Sequence, residues 1–169
     1  NLMLSKQTKD ARTVTVASSM SGEGKSSVSS QLAISLAKAC GETVLLVDAD
    51  LRSPDQHDIF GLEMGPGLAG VMAGETNLAD AVDDTLGELV HVLPAGRMTQ
   101  SPHRLLSADG MRSLLDNALE NYKYVIVDTA PVLSAGETLA VASQTDATLV
   151  CVMRDVSRSD AVLRSSRRL

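Results

Sequence analysis

The feature that most constrains the fold is a set of short apolar runs separated by stretches with helical periodicity. The runs are rich in Val, Ile or Leu and nearly continuous, which is typical of parallel strands covered on both faces. They occupy residues 13–18, 43–47, 89–93, 124–127 and 147–153. Helical patterns occupy residues 25–40, 108–121, 135–144 and 159–168. This alternation predicts an α/β fold, a three-layer sandwich with a mostly parallel sheet and helices on both faces.

The composition limits the classes of partner. The chain has 169 residues, and we expect residues 1–169 to form a single domain. A net charge of −6 and an aromatic content of 2% give neither a bulk attraction to nucleic acid nor a stacking surface for bases. No apolar run reaches the roughly 18 residues that a membrane span requires, so the chain itself is expected to be soluble.

Two patterns concern the core. In the predicted helix at residues 25–40, Val28, Leu32, Leu36 and Cys40 recur at a spacing of four and are predicted to form its buried face. Cys40 and Cys151 are both predicted to be small buried hydrophobic residues rather than a disulfide or a metal pair.

A phosphate-binding loop is predicted between the first strand and the first helix. The segment SSMSGEGKSS, residues 18–27, fits the P-loop pattern G-x-x-x-x-G-K-[ST], except that Ser19 replaces the first glycine. Its glycines and the following helix N-terminus direct N–H groups at one spot, where Lys25 adds a positive charge and Ser26 a hydroxyl for Mg²⁺. The loop residues predicted to bind the nucleotide are Ser21, Gly22, Glu23, Gly24, Lys25, Ser26 and Ser27.

Carboxylates follow two of the apolar runs. Asp48 and Asp50 come directly after residues 43–47, and Asp128 follows residues 124–127 in the position of a Walker B aspartate. Ligands of open α/β sheets bind beyond the carboxyl ends of the strands, so these side chains are expected to face the phosphates. Because clustered carboxylates repel each other, we predict that Ser26, Asp48, Asp50 and Asp128 surround a Mg²⁺ ion.

The segments VLLVDADLRSPDQHDIFGL and YVIVDTAPVL resemble the Walker A′ and B motifs of the bacterial tyrosine kinases of exopolysaccharide and capsule synthesis. The typical continuation of that family, R-x-P-x-x-H-x-x-F-G, is reproduced by Arg52, Pro54, His57, Phe60 and Gly61. The related partition ATPases carry a signature lysine at the position of Met20, which makes a partition role less favoured. The sequence departs from the kinase pattern at Ser21, Arg104 and Glu137, where proline and two acidic residues, the second an aspartate, are usual.

The resemblance implies transfer of the γ-phosphoryl group of ATP to tyrosine, with Mg²⁺ as the metal. It assigns catalysis to Lys25, Asp48, Asp50 and Asp128, with Asp48 as the group that orients or deprotonates the acceptor hydroxyl. Arg52 is assigned to the nucleotide or, alternatively, to a pair with a neighbouring carboxylate. The alternative hypotheses are an assembly or partition-like ATPase switch and a regulatory module that only binds ATP.

The resemblance also implies a setting for the domain. The E-x-R-x-x-R oligomerisation motif and the terminal tyrosine cluster of the family are missing, so we expect a domain trimmed from a longer protein. Its implied partners are further copies of itself, which phosphorylate one another, and a transmembrane activator region in the same or a partner polypeptide. The implied location is cytoplasmic, at the inner face of the cell membrane.

Overall fold

The computed structural model describes residues 11–169, which are built around a five-stranded sheet. The strands are β1 (Thr13–Ser18), β2 (Val44–Ala49), β3 (Val90–Leu93), β4 (Tyr124–Thr129) and β5 (Ala147–Cys151). Their order across the sheet is β3-β2-β4-β1-β5, and every pairing is parallel. The predicted α/β class is confirmed, while residues 1–10 of the predicted domain lie outside the described residues.

Eight helices occur in residues 11–169. They are α1 (Lys25–Cys40), α2 (Gln56–Phe60), α3 (Gly67–Met72), α4 (Leu78–Ala81), α5 (Pro102–Leu105), α6 (Ala108–Asn121), α7 (Glu137–Ala142) and α8 (Ser159–Ser166). The first and sixth have the predicted bounds, whereas α7 and α8 are shorter than predicted. Within the same residues, no helix combines the length and apolar composition needed to cross a membrane.

Helices cover both faces of the sheet, and each face has its own apolar core. Alternation along β2 sends Leu45 and Val47 into one core, with residues of α3, α4 and α6. Val44 and Leu46 point into the other core, with residues of α1. A strand buried on both faces must be apolar at every position, which explains why the runs in the sequence are continuous.

The predicted buried face of α1 is wrong. The row that faces the sheet has the same spacing but starts one residue later, about 100° around the helix, at Ser29, Ala33 and Ala37. Val28 and Cys40 are exposed, and Leu32 and Leu36 are only partly buried. The buried residues of α1 are Lys25, Ser26, Ser29, Ser30, Ala33 and Ala37.

The small side chains on this face let α1 pack closely against the branched residues of the strands. The second cysteine agrees with its prediction, since Cys151 is buried at the end of β5.

Candidate phosphate-binding site

The loop between β1 and α1 is shaped to receive an anion. Gly22 and Gly24 have φ angles of +82° and +78°, in the left-handed region where a side chain is strained. Gly24 is the N-cap of α1 and offers no side chain to its first N–H groups, which remain directed beyond the helix end. A cavity of about 220 Å³ lies there, lined by Ser21, Gly22, Gly24, Lys25, Ser26, Ser27, Asp50, Ser53 and Asp55.

Two loop residues stabilise the loop from inside. Ser19 is fully buried, which explains why the position needs a small residue but not a glycine. Glu23 is buried as well, and its Oε2 accepts a hydrogen bond of 2.8 Å from the N–H of Met20. The Glu23 side chain therefore braces the turn and does not line the cavity, so only its backbone N–H remains a candidate for phosphate binding.

Lys25 is held at the cavity by an ion pair. Its Nζ lies 2.9 Å from Oδ2 of Asp50, and both side chains are almost completely buried. Burial disfavours the ammonium, but the carboxylates of Asp128 and Asp50 outweigh it and raise the pKa of Lys25 above its usual value. The second Asp50 oxygen accepts the N–H of Ser53 at 3.1 Å, which fixes the carboxylate. Lys25 is thus a preoriented, charged group.

Asp48 and Asp128 are brought side by side because β2 and β4 are neighbours in register. Both are fully buried, and burial raises the pKa of Asp128 and raises the pKa of Asp48 to about 7. Oδ1 of Asp48 accepts the N–H of Asp50, and its Oδ2 accepts the N–H groups of Asp55 and Gln56, at 3.0–3.2 Å. In contrast, Oδ1 of Asp128 is buried and has no hydrogen-bond partner in the part of the chain that the structure describes.

The residues after Arg52 contribute more to the site than the sequence indicated. Asp55 lines the cavity, and its Oδ2 accepts a hydrogen bond of 3.3 Å from the Ser26 hydroxyl. Gln56 is fully buried and reaches both the loop helix and Asp128. Their only signal in the sequence was their place inside the R-x-P-x-x-H frame, which named neither residue.

The oxygen atoms at this edge suit Mg²⁺. Magnesium prefers oxygen ligands and usually keeps waters and substrate phosphates among them. The Ser26 hydroxyl and Oδ1 of Asp128, which has no partner within residues 11–169, are oxygens of this kind, whereas Asp50 is paired with Lys25. In residues 11–169, no group of three or more His, Cys, Asp or Glu side chains could hold a metal by itself. A hydroxyl and one carboxylate oxygen fit a cation that takes its other ligands from water and phosphate.

Arg52 lies outside the phosphate cavity. Its Nε lies 2.6 Å from Oε1 of Glu137, the first residue of α7. Although burial opposes it, the hydrogen bond from Arg52 lowers the pKa of Glu137. Arg52 therefore adopts the alternative that the sequence left open, a pair with a neighbouring carboxylate, and its contact with a nucleotide stays a prediction.

Comparison with known proteins agrees with this geometry. A family model described as an AAA domain matches residues 11–158. The putative tyrosine-protein kinase CapB of Staphylococcus aureus is 30% identical over 132 residues, which are 78% of this chain and 58% of CapB. The tyrosine-protein kinase etk of Escherichia coli is 32% identical over 86% of this chain but only 20% of its own length. The chain thus spans a little over half of one relative and a fifth of the other.

Solved structures give the same picture. The kinase domain of the Escherichia coli tyrosine kinase ETK superimposes with a TM-score of 0.89 and 29% identity, over 95% of this chain and 62% of that one. The septum site-determining protein MinD of Pyrococcus horikoshii, with Mg-ADP, has a TM-score of 0.78 at 21% identity, over 92% of this chain and 63% of that one, and shares the fold. The chain therefore belongs to the AAA domain family, and the two relatives CapB and etk are named as bacterial tyrosine-protein kinases, as the motifs predicted.

Proposed function

We propose that this chain is the nucleotide-binding part of a protein-tyrosine kinase, which transfers the γ-phosphoryl group of Mg·ATP to a tyrosine hydroxyl. The observation that carries the proposal is the convergence of Lys25, Asp48 and Asp128 from three different elements on one edge of the sheet. A paired lysine, a helix N-terminus and buried carboxylates together are suited to holding a triphosphate.

The proposed roles follow from the contacts of each side chain. The loop N–H groups and Lys25 bind the β- and γ-phosphates and stabilise the charge that spreads over their oxygens during transfer. Bound Mg²⁺ supplies neutralisation of that charge, with Ser26 and Asp128 as its candidate protein ligands. Oδ1 of Asp48 accepts one hydrogen bond and keeps a second lone pair for the tyrosine proton. A pKa of about 7 suits a general base at neutral pH.

The acceptor must come from another segment or chain. The sequence has two tyrosines, Tyr122 and Tyr124, and both lie where β4 begins, at the edge opposite the phosphate loop. Six strand residues separate the edges by roughly 20 Å. The Tyr122 hydroxyl is moreover engaged by Nδ1 of His91 at 3.0 Å. We therefore propose phosphorylation between subunits of a homo-oligomer.

The relatives differ in how much surrounds this domain, and this difference supports two possible settings. The matched region is most of YwqD of Bacillus subtilis, at 71% of its length, but only 17% of ptk of Acinetobacter johnsonii. We propose that this domain lies in the cytoplasm at the inner face of the cell membrane, and that a transmembrane activator region belongs either to the same polypeptide or to a partner. The proposed process is the control of exopolysaccharide or capsule synthesis.

The test is phosphotyrosine formation with radiolabelled Mg·ATP and a soluble tyrosine-containing copolymer as acceptor. We expect labelled phosphotyrosine in the wild type. In Lys25→Met the rate of labelling should fall at least about 10²-fold, because the positive charge that stabilises the transferred phosphoryl group is lost. Lys123→Met, an exposed lysine at the opposite edge, is the matched control and should keep wild-type turnover. Wild-type turnover in Lys25→Met would refute the assignment of the site.

The same assay separates the rival functions. Release of inorganic phosphate without phosphotyrosine would favour an ATPase switch. Nucleotide binding with neither product would favour a regulatory module, and Asp48→Asn should then leave its regulatory effect intact. A kinase with Asp48→Asn should instead bind the nucleotide and lose the transfer.

A further inference from the structure

Gln56 is a polar residue in a place where an apolar one would be expected. It is the first residue of α2 and has no exposed surface, and it ranks among the largest fully buried side chains of residues 11–169. Burying an amide costs free energy unless its hydrogen bonds are recovered. The contacts of Gln56 therefore have to account for its presence.

Those contacts reach both buried carboxylates and the helix that follows the phosphate loop. The backbone N–H of Gln56 donates to Oδ2 of Asp48 at 3.0 Å. Its side-chain Nε2 lies 2.8 Å from Oδ2 of Asp128, and 3.1 Å from both the Ser26 carbonyl oxygen and the Ser29 hydroxyl. One residue thus joins the two acidic strand ends to the helix that follows the phosphate loop.

The orientation of the amide is fixed by these neighbours. A carboxylate and a carbonyl can only accept, and the Ser29 hydroxyl already donates to the Ser26 carbonyl oxygen at 3.0 Å. A flipped amide would direct its oxygen at the oxygens of Asp128 and Ser26. The nitrogen must therefore face Asp128, and Oε1 of Gln56 is left buried without a partner among the described residues.

This unsatisfied oxygen makes Gln56 a costly way to fill space, since an apolar side chain of the same size would leave no such atom. What the amide provides is control of Asp128. Its hydrogen bond occupies Oδ2 and leaves Oδ1 as the oxygen of Asp128 that has no partner within residues 11–169. Groups that hold a metal-binding carboxylate in this way commonly change metal affinity 10–100-fold when removed.

We propose that Gln56 is a positioning residue: it holds the Asp128 carboxylate against the phosphate-loop helix so that Oδ1 is presented to the metal of a bound Mg-nucleotide. The inference rests on the proposed nucleotide site but not on tyrosine as the acceptor. It is therefore tested by binding of ADP, which needs no phosphoryl transfer.

The test compares the affinity for ADP in Mg²⁺ and in EDTA, measured by calorimetry. In Gln56→Met, which keeps the length and removes the donor, we expect unchanged affinity in EDTA and a gain from Mg²⁺ that is about 10-fold smaller than in the wild type. Gln31→Met, at an exposed position of α1, is the matched control and should retain the full gain. An equal loss of affinity in both solutions, or no loss in either, would overturn the proposal.

A double-mutant cycle with Asp128→Asn tests whether Gln56 acts through that carboxylate. In the Asp128→Asn background, Gln56→Met should change the Mg²⁺ gain less than twofold, whereas independent effects would multiply and refute the mechanism. If Gln56→Met fails to fold, Gln56→Asn keeps the amide but shortens its reach by one methylene, and it should reduce the Mg²⁺ gain. A full gain in that variant would also overturn the proposal.

The kinase proposal and this inference fail in different ways. A wild type that binds ADP more tightly with Mg²⁺ but makes no phosphotyrosine removes the kinase assignment and leaves Gln56 unaffected. If the ADP affinity of the wild type is the same in Mg²⁺ and in EDTA, the proposed role of Gln56 is contradicted directly.

Discussion

Aspartates lie at both edges of the sheet, and their surroundings shift their pKa values in opposite directions. Asp146, just before β5, uses Oδ2 to accept the N–H groups of Arg12 and Thr13 and the Thr13 hydroxyl, at 2.8–2.9 Å. Burial opposes the charge there, but these hydrogen bonds outweigh it and lower the pKa of Asp146. At the carboxyl edge, burial raises the pKa of Asp48 and Asp128.

The difference supports the proposal that one edge of the sheet serves stability and the other serves binding. Six buried side-chain atoms in residues 11–169 have no hydrogen-bond partner. Four of these atoms lie in or beside the phosphate loop, in Ser19, Glu23, Gln56 and Asp128. Buried polar groups are normally satisfied, so the concentration of unsatisfied atoms at one edge supports the proposed ligand site there.

The largest expected effect comes from neutralising the carboxylate with the partnerless oxygen. Asp128→Asn should lower the proposed Mg-dependent phosphoryl transfer by about 10²-fold, because the variant loses the charge of the proposed Mg²⁺ ligand. The ligand-free protein should be as stable as the wild type or more stable, since a buried charge is removed. Turnover and the urea midpoint in EDTA measure the two effects. If Asp128→Asn kept its turnover and were less stable than the wild type, Asp128 would serve stability as Asp146 does, and the contrast between the two edges would be wrong.

The matched control for this variant is Asp116→Asn. Asp116 is exposed on α6. The Asp116→Asn variant should keep wild-type turnover, and its free energy of unfolding should change by less than about 0.5 kcal/mol.

The second prediction uses pH to separate the edges. The folded-state pKa of Asp48, about 7, exceeds its ordinary value of 3.8, so its contribution to stability is complete below pH 3.8 and is lost as pH rises through 7. In EDTA and without nucleotide, the wild type should lose stability relative to Asp48→Asn over this range, by roughly one to a few kcal/mol. Urea midpoints at several pH values give the slopes. Parallel curves for the two proteins would show that Asp48 is not the source.

The third prediction is the reverse case. Because the folded-state pKa of Asp146 is lowered, its contribution is present above the unfolded value of 3.8 and is lost as pH falls through the lower folded value. Asp146→Asn should cost about 1 kcal/mol at neutral pH, a figure discounted for the exposure of Asp146, and nothing in strong acid. Affinity for Mg-ADP should be unchanged. A loss of affinity without a loss of stability would place Asp146 in the functional edge.

Much of the carboxyl edge could be predicted because its signals are local in the sequence. The P-loop is one contiguous segment, and Asp48 and Asp128 are marked by the apolar runs before them. The contacts that complete the site join distant segments: Gln56 and Asp128 are 72 positions apart, and Arg52 and Glu137 are 85 apart. The face of α1 was wrong for a related reason, since the sheet beneath it selects small side chains over the larger ones that periodicity favoured.

The smallest expected effect is a difference in reactivity between the two thiols, which tests how firmly the carboxyl edge is closed to solvent. Cys40 ends α1 and is exposed, whereas Cys151 ends β5 beside the phosphate loop and is buried. Burial, together with the charges of Asp128 and Glu23, raises the pKa of Cys151, so both access and ionisation oppose its reaction. We expect one thiol to react rapidly with Ellman's reagent in the native protein and two after denaturation. Cys40→Ser should abolish the rapid phase, and its persistence would mean that the carboxyl edge opens to solvent more readily than its burial implies.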